Sequence, residues 1–317
     1  MNADFRTVIA ASDDERRDLL LTTARRLGTA VQNVEKDFWV CWTLDVLFNG
    51  LAEDSPRLLF EGGTSLSKSF ALIDRFSKDI DITVFRSDLG EGASVEELEA
   101  LSGKKRRARL DAIKEACQAF IGGPLLRDLS GLAAGAMTGA RIPADRYRIE
   151  LDPADVDQQT LLFWYPAVTA TRGDYVQSAV KIEGGAKSAL DPNVTTSVRP
   201  YAADDLPNTD LAVGGITTVE AQRTFWDKVV ILHGLRRWYD HRGQLRHGGQ
   251  RLAPLLRRVP AAPVPDGSGY TRGPATRGGL RTPRSDVLQH SGLRSRSGCT
   301  GHAVARAVGT DAGCTRT

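Results

Sequence analysis

The sequence predicts an α+β domain: a mixed sheet flanked by helices, with a helical C-terminal part and a disordered tail. Three observations carry this. Short apolar runs with strand-like alternation lie between amphipathic segments of helical period. No repeat of fixed length runs through the chain. After about Arg251 the composition turns to Arg, Gly, Pro and Ser. The expected division is one domain over residues 1–250, with its core at about 30–240, and a tail over 251–317.

In chain order, Ser12-Asp13-Asp14-Glu15 reads as an N-cap and acidic first turn of a helix ending near Leu27. "VEKDFWVCWTLDVLFNG" is a second helix, apolar over much of its circumference and closed by Asn49-Gly50. "RLLF" is a short buried strand, "TSLSKSFALIDRF" a helix, and "DIDITVF" an alternating strand. A charged helix from about Ser94 to Phe120 carries "GKKRRAR" near its start, and "GGP" breaks the pattern after it. "YRIELD", "TLLFWYPAV" and "SAVKIEGGA" read as strands. "TTVEAQRTFWDKVVILHGLRRW" reads as a long amphipathic helix that starts at a Thr cap.

The chain has 317 residues, room for one large domain or two ordinary ones, and 41% hydrophobic and 26% charged residues are ordinary for a soluble protein. No apolar run approaches a membrane span, and "MNADFRTVIAASDDERRDLL" lacks a basic segment followed by an apolar one. Neither a signal peptide nor a membrane anchor is expected. The four cysteines, Cys41, Cys117, Cys299 and Cys314, show no metal-binding spacing and read as free thiols in a reducing cytoplasm.

The net charge of +3 hides an asymmetry. Residues 1–240 carry 29 basic and 36 acidic side chains, whereas the rest carries 13 Arg, 3 Asp, no Lys and no Glu. The body therefore lacks the charge of an electrostatic nucleic-acid binder, and only the tail has it. Three readings fit that tail: a disordered Arg-rich extension, an RNA-binding arm, or out-of-frame translation of a GC-rich gene. The third has a concrete form. "LAPLLRRVP" can be encoded so that a one-base shift reads Ser-Pro-Arg-Tyr-Tyr-Asp-Val-Tyr-Arg.

The chemistry gathers in "LLFEGGTSLSKSFALIDRFSKDIDITVF". Glycines after a strand let the backbone turn tightly and set amide N–H groups against a phosphate, although such turns also hold Gly for geometry alone. The Gly-Lys-Ser/Thr ending of a Walker A loop is absent. In "DIDITVF" the period of two puts Asp79 and Asp81 on one face and Ile80, Ile82 and Val84 on the other. Carboxylates roughly 7 Å apart at Cα can converge on divalent metals about 4 Å apart. An edge strand with its polar face in solvent would show the same pattern.

Strand, Gly-Gly turn, helix and Asp-x-Asp strand together resemble the active-site signature of the polymerase β-like nucleotidyltransferases. "FEGGTSLSKSFALIDRFSKDIDI" is similar, more narrowly, to the AbiEii/AbiGii toxins, nucleotidyltransferases of bacterial abortive-infection and toxin–antitoxin systems. "VEKDFWVCWTLDVLF", "YVQSAVKIEGGAKS" and "TVEAQRTFWDKVVILHGL" extend the likeness over roughly residues 30–250. The resemblance implies a nucleotidyltransferase-like fold, NTP as substrate, two Mg²⁺ ions, an RNA acceptor such as the 3′ end of tRNA, and a cognate antitoxin. It implies that Gly62, Gly63, Thr64 and Ser65 form the phosphate turn, with Lys68 a further phosphate contact. Arg75 and Ser77 would precede the metal-binding Asp79 and Asp81.

Glu183 fits the third acidic position, with Lys181 on the same face and Lys228 in the later Lys motif. Glu183 and Lys181 also read as a surface pair, Lys228 as a solvated helix residue, and Glu150 as a rival third acid. "GKKRRAR" reads as an RNA contact or a solvated face. The family's Tyr-Tyr-Asp motif is missing after the Lys helix, where "RLAPLLRRVP" stands; the shifted frame would restore it with Asp at position 257, and Asp240 comes too early.

Three functions follow: an active nucleotidyltransferase, a catalytically silent protein that binds nucleotide or antitoxin, and a kinase-like phosphoryl transferase. The frame reading makes a direct prediction: the DNA across codons 245–265 contains an insertion or deletion, and an uninterrupted frame in independent isolates refutes it.

Overall fold

The computed structural model describes residues 1–73, 76, 79–170, 178–186 and 190–242. The expectations for Arg75, Ser77, position 257 and the tail over 251–317 lie outside the described residues. The chain divides into two units, Met1–Thr224 and Phe225–Thr317.

The first unit opens with three helices. After α1 (Asp4–Ala10), α2 (Asp13–Leu27) starts at a reciprocal capping box between Ser12 and Glu15 and stops at Gly28 in the left-handed region. α3 (Val31–Asn49) is buried from Val34 to Leu47, which is why its sequence is apolar on nearly every side. β1 (Leu58–Glu61), α4 (Gly62–Lys68) and β2 (Asp79–Val84) follow. Next come α5 (Val95–Ala100), α6 (Gly103–Phe120), α7 (Leu126–Gly139), β3 (Arg148–Leu151), β4 (Thr160–Trp164) and β5 (Ala179–Glu183). β6 (Asn193–Val198) and β7 (Val213–Val219) complete the sheet.

The seven strands lie in the order β3-β4-β5-β2-β1-β7-β6, so β2 is central. The pairs β2–β5 and β1–β7 are parallel and the others antiparallel, which makes the sheet mixed. Register puts Ile80 beside Ile182, and Ile182 beside Leu161, on one face. That face packs on α3, where Trp39 meets Phe163 edge-on at 5.8 Å and stacks on Tyr165 at 5.6 Å. Asp79, Asp81, Lys181 and Glu183 occupy the other face.

Four local expectations are corrected. The helix expected over Thr64–Phe76 ends at Lys68, because Ser67 turns its hydroxyl back to the Gly63 and Thr64 carbonyls and Ala71 adopts φ +50°. The charged helix is two helices, since Leu101 is extended and Ser102 caps a new start at the Lys105 amide. Gly-Gly-Pro does not end the helical run. It sits in a π-helical turn, Ile121–Leu125, that leads straight into α7, where the wider turn tolerates the amide that Pro124 lacks. Finally, Thr217 and Thr218 belong to β7 rather than to a helix cap, and α8 (Ala221–Arg242), the last helix among the described residues, begins after them.

In the second unit the described residues are those of α8 from Phe225 onward, with an Arg236–Asp240 ion pair at 2.9 Å and Arg242 over the Trp238 ring. Among the described residues no helix is long and apolar enough to cross a membrane, and Cys41 and Cys117 are buried free thiols.

Phe163 is fully buried between the sheet and α3, while Val156 is 95% exposed. Phe163→Ala is expected to cost about 3–5 kcal/mol in chemical denaturation and Val156→Ala less than about 0.5 kcal/mol.

Candidate functional site

The site grows from the junction of β1, α4 and β2. Glu61 closes β1 in extended conformation, and Gly62 follows at φ +84°. A Cβ on Gly62 would lie 1.8 Å from Asp81 Oδ2 and 2.6 Å from its Cγ. Backbone angle and space therefore both demand glycine here. The short helix then docks on β2, since the Thr64 hydroxyl donates to the Asp79 carbonyl, while the Ser65 hydroxyl closes the turn itself on the Gly62 carbonyl at 3.0 Å. Its first-turn amides have no acceptor within the helix.

β2 carries the carboxylates. Asp81 lies in register with Glu61 on β1 and with Glu183 on β5, so three acidic residues stand abreast on three adjacent strands. One step along, Asp79 is in register with Lys181. Asp79 is exposed and Asp81 half-buried, while Ile80, Ile82 and Val84 are sealed on the opposite face, as the alternation required. The rival acid Glu150 sits on β3, three strands and roughly 14 Å from β2. There it accepts from the Trp164 indole at 2.7 Å and pairs with Arg148. Topology thus places Glu183 beside the aspartates and Glu150 three strands away.

The cluster has a resident cation. Lys181 Nζ stands 2.6 Å from Glu183 and 3.7 Å from Asp152. Burial pulls its pKa down, but the Glu183 hydrogen bond and the charges of Glu183, Asp152 and Asp79 outweigh this and raise it above the usual lysine range. Glu61 in turn accepts from Thr83 at 3.0 Å. Among the described residues no three His, Cys, Asp or Glu side chains are gathered closely enough to grip a metal ion. The donor set is nonetheless all-carboxylate oxygen, which suits Mg²⁺, and Gly62 lets the Asp81 carboxylate stand where a Cβ would otherwise be.

Lys68 departs from expectation. Its ammonium is 2.8 Å from Asp37 Oδ1 on α3, and the two side chains are only 5% and 3% exposed. The amine expected on a phosphate is committed inside the protein, because α4 turns its last residue toward α3. Lys228 is exposed on α8 in the second unit. The Asp240 carboxylate is held by Arg236. In the basic run, Arg106 donates to the Leu98, Glu99 and Leu101 carbonyls and Arg109 reaches Glu91, so both fasten α6 to the chain before it, while Lys104 and Lys105 are exposed.

The sequence matches a known family. The family model described as nucleotidyl transferase AbiEii toxin, type IV toxin–antitoxin system, matches residues 45–248. The chain belongs to the AbiEii family. No curated protein matches it. Among solved structures it is similar to MenT4, a nucleotidyltransferase toxin from Mycobacterium tuberculosis H37Rv, at 14% identity and a TM-score of 0.37, over 69% of this chain. The chain spans 58% of the length of that structure.

Sequence reasoning missed Glu61, Asp37 and Asp152. Glu61 had a signal, since it directly precedes the Gly-Gly pair, but the strand was ended one residue short. The other two meet their lysines only through tertiary contact.

Gly90 provides a control for Gly62, because its φ is +74° but nothing lies within 4 Å of its Cβ position. Gly90→Ala is expected to cost about 1–2 kcal/mol for backbone strain alone. Gly62→Ala is expected to cost clearly more in the same denaturation series, because Asp81 must also move.

Proposed function

We propose that this AbiEii-family protein is a metal-dependent nucleotidyltransferase that moves a nucleoside monophosphate from an NTP to an RNA acceptor, with tRNA the first acceptor to test. The observation that supports it best is the in-register row Glu61–Asp81–Glu183 with the Gly62 turn packed on its central carboxylate. In the reaction the acceptor hydroxyl oxygen attacks the α-phosphorus, the bond to the bridging oxygen breaks, and pyrophosphate leaves. The hydroxyl proton passes to a carboxylate of the cluster.

Gly62, Gly63, Thr64 and Ser65 hold the phosphates through their first-turn amides. Asp79, Asp81 and Glu183 are the residues that would hold divalent metal, and Glu183 must leave Lys181 to do so. When bound, the metal supplies stabilisation of charge on the phosphoryl oxygens and activation of the acceptor hydroxyl. Lys181, once released, offers its charge to the nucleotide. Lys228 is assigned the same task by family resemblance alone. In a toxin–antitoxin setting such a transfer stops translation until a cognate antitoxin restrains it.

A second reading, a silent protein that binds nucleotide or antitoxin, is favoured by two observations. Lys181 pairs with Glu183, and the family match ends at residue 248, just ahead of the stretch where the resemblance calls for a Tyr-Tyr-Asp motif and the sequence has none.

Incubation with labelled NTPs, Mg²⁺ and total tRNA separates the readings. Label transfer is expected from the native chain and reduced on the order of a hundredfold or more in Asp79→Ala. Equal labelling by both defeats the proposal, and nucleotide binding in calorimetry without transfer establishes the second reading.

A further inference from the structure

We infer that Asp37 and Lys68 are positioning residues: their buried ion pair holds α4, and with it the Gly62–Ser65 turn, against Asp81. The inference rests on the reading of that turn and strand as the nucleotide site. It assigns the pair a role that neither phosphate contact nor simple core packing supplies.

The surroundings of the pair are built to hold it. Asp37 Oδ1 takes the Lys68 ammonium at 2.8 Å, and Oδ2 accepts the Tyr201 amide at 2.8 Å. The Tyr201 ring covers Lys68 Nζ at 3.8 Å from its centre, and Phe76 packs edge-on against that ring. Burial raises the Asp37 carboxyl above its usual range, while Lys68 pulls it back toward the charged form. Cys41, the nearby thiol, is pushed up by burial to about 12 and stays neutral.

Such a pair is an expensive way to gain stability. Two buried charges forfeit hydration that their attraction scarcely repays, and an apolar pair of similar volume commonly serves as well. What the charges add is a defined distance between two elements. α3 is the fixed reference, buried along most of its length. α4 is the part that needs fixing, with seven residues and no side-chain cap at its start.

α4 is tied at both ends. Thr64 bonds the Asp79 carbonyl near the start, and Lys68 bonds Asp37 at the last residue. Slack at either tie moves Gly62, which has no free space against Asp81. Displacement of a reacting group by about 1 Å can cost on the order of a hundredfold in rate.

The test is a double-mutant cycle on the full chain, read first by amide hydrogen exchange. In Asp37→Leu and in Lys68→Met, exchange at Leu66–Ser69, whose amides bond back to the Gly62–Ser65 carbonyls, is expected to quicken at least about tenfold, with the β6–β7 amides unchanged. The apolar double variant Asp37→Leu/Lys68→Met is expected to loosen the turn no more than the singles do, because all three break one clamp. The double variant also keeps the test decisive if a bare buried charge unfolds the single variants.

Label transfer should fall about ten- to a hundredfold while the Kd for a non-hydrolysable ATP analogue changes less than about threefold. Unchanged exchange at Leu66–Ser69 in a folded variant overturns the inference. So does a loss of nucleotide affinity from Lys68→Met of equal size with and without Asp37, which marks a direct phosphate contact. If the parent chain transfers no label, the transferase reading fails, and the exchange data alone decide the clamp.

Discussion

The structure depends on one strand serving two environments at once. β2 stands at the centre of a seven-stranded sheet, so one of its faces must be apolar to close the core against α3. The period of two then delivers Asp79 and Asp81 together to the opposite face, with Ile80, Ile82 and Val84 buried behind them. A slip of one residue in register would bury both carboxylates and expose the isoleucines, so register is held by the whole core. The same register brings Glu61 and Glu183 level with Asp81. The acidic row is therefore a by-product of how the core pairs its strands.

Three like charges abreast need compensation, and the chain supplies it from within. Lys181 lies on the carboxylate face and takes Glu183, with Asp152 also in range. Thr83 donates to Glu61. These contacts satisfy the cluster as it stands and set the work that binding a cation must do. Gly62 meets the other constraint, since Asp81 stands where its Cβ would be, at the cost of a backbone conformation that other residues resist. Lys68 shows the converse economy. An amine beside a phosphate turn looked like a ligand, yet its partner is Asp37 and its surroundings are protein.

Where sequence reading went astray, the cause was a local signal overruled by its neighbours. Gly-Gly-Pro reads as a break, but packing of Ile121 and Leu125 into the core holds those residues in a π-helical turn. Thr217 and Thr218 read as a helix cap, but β6 was not recognised, so the partner that draws them into β7 was missing. The helix expected over Thr64–Phe76 took its length from propensity, and hydroxyl back-bonding by Ser67 and the left-handed Ala71 ended it early.

The sequence by itself determined the acidic alternation on β2, the glycine turn before it, the burial of α3 and the family. Each of these is written in neighbouring residues, through a period of two, a period of 3.6, or a residue that alone tolerates a given backbone angle. Only the tertiary structure decided which distant acid stands beside the aspartates, since Glu150 and Glu183 are both strand residues and only sheet order separates them. It alone decided that Lys68 faces Asp37 and that Lys181 holds Glu183. Contacts between residues far apart in the chain depend on strand order and helix docking, and those arise from the packing of the whole core rather than from any local pattern.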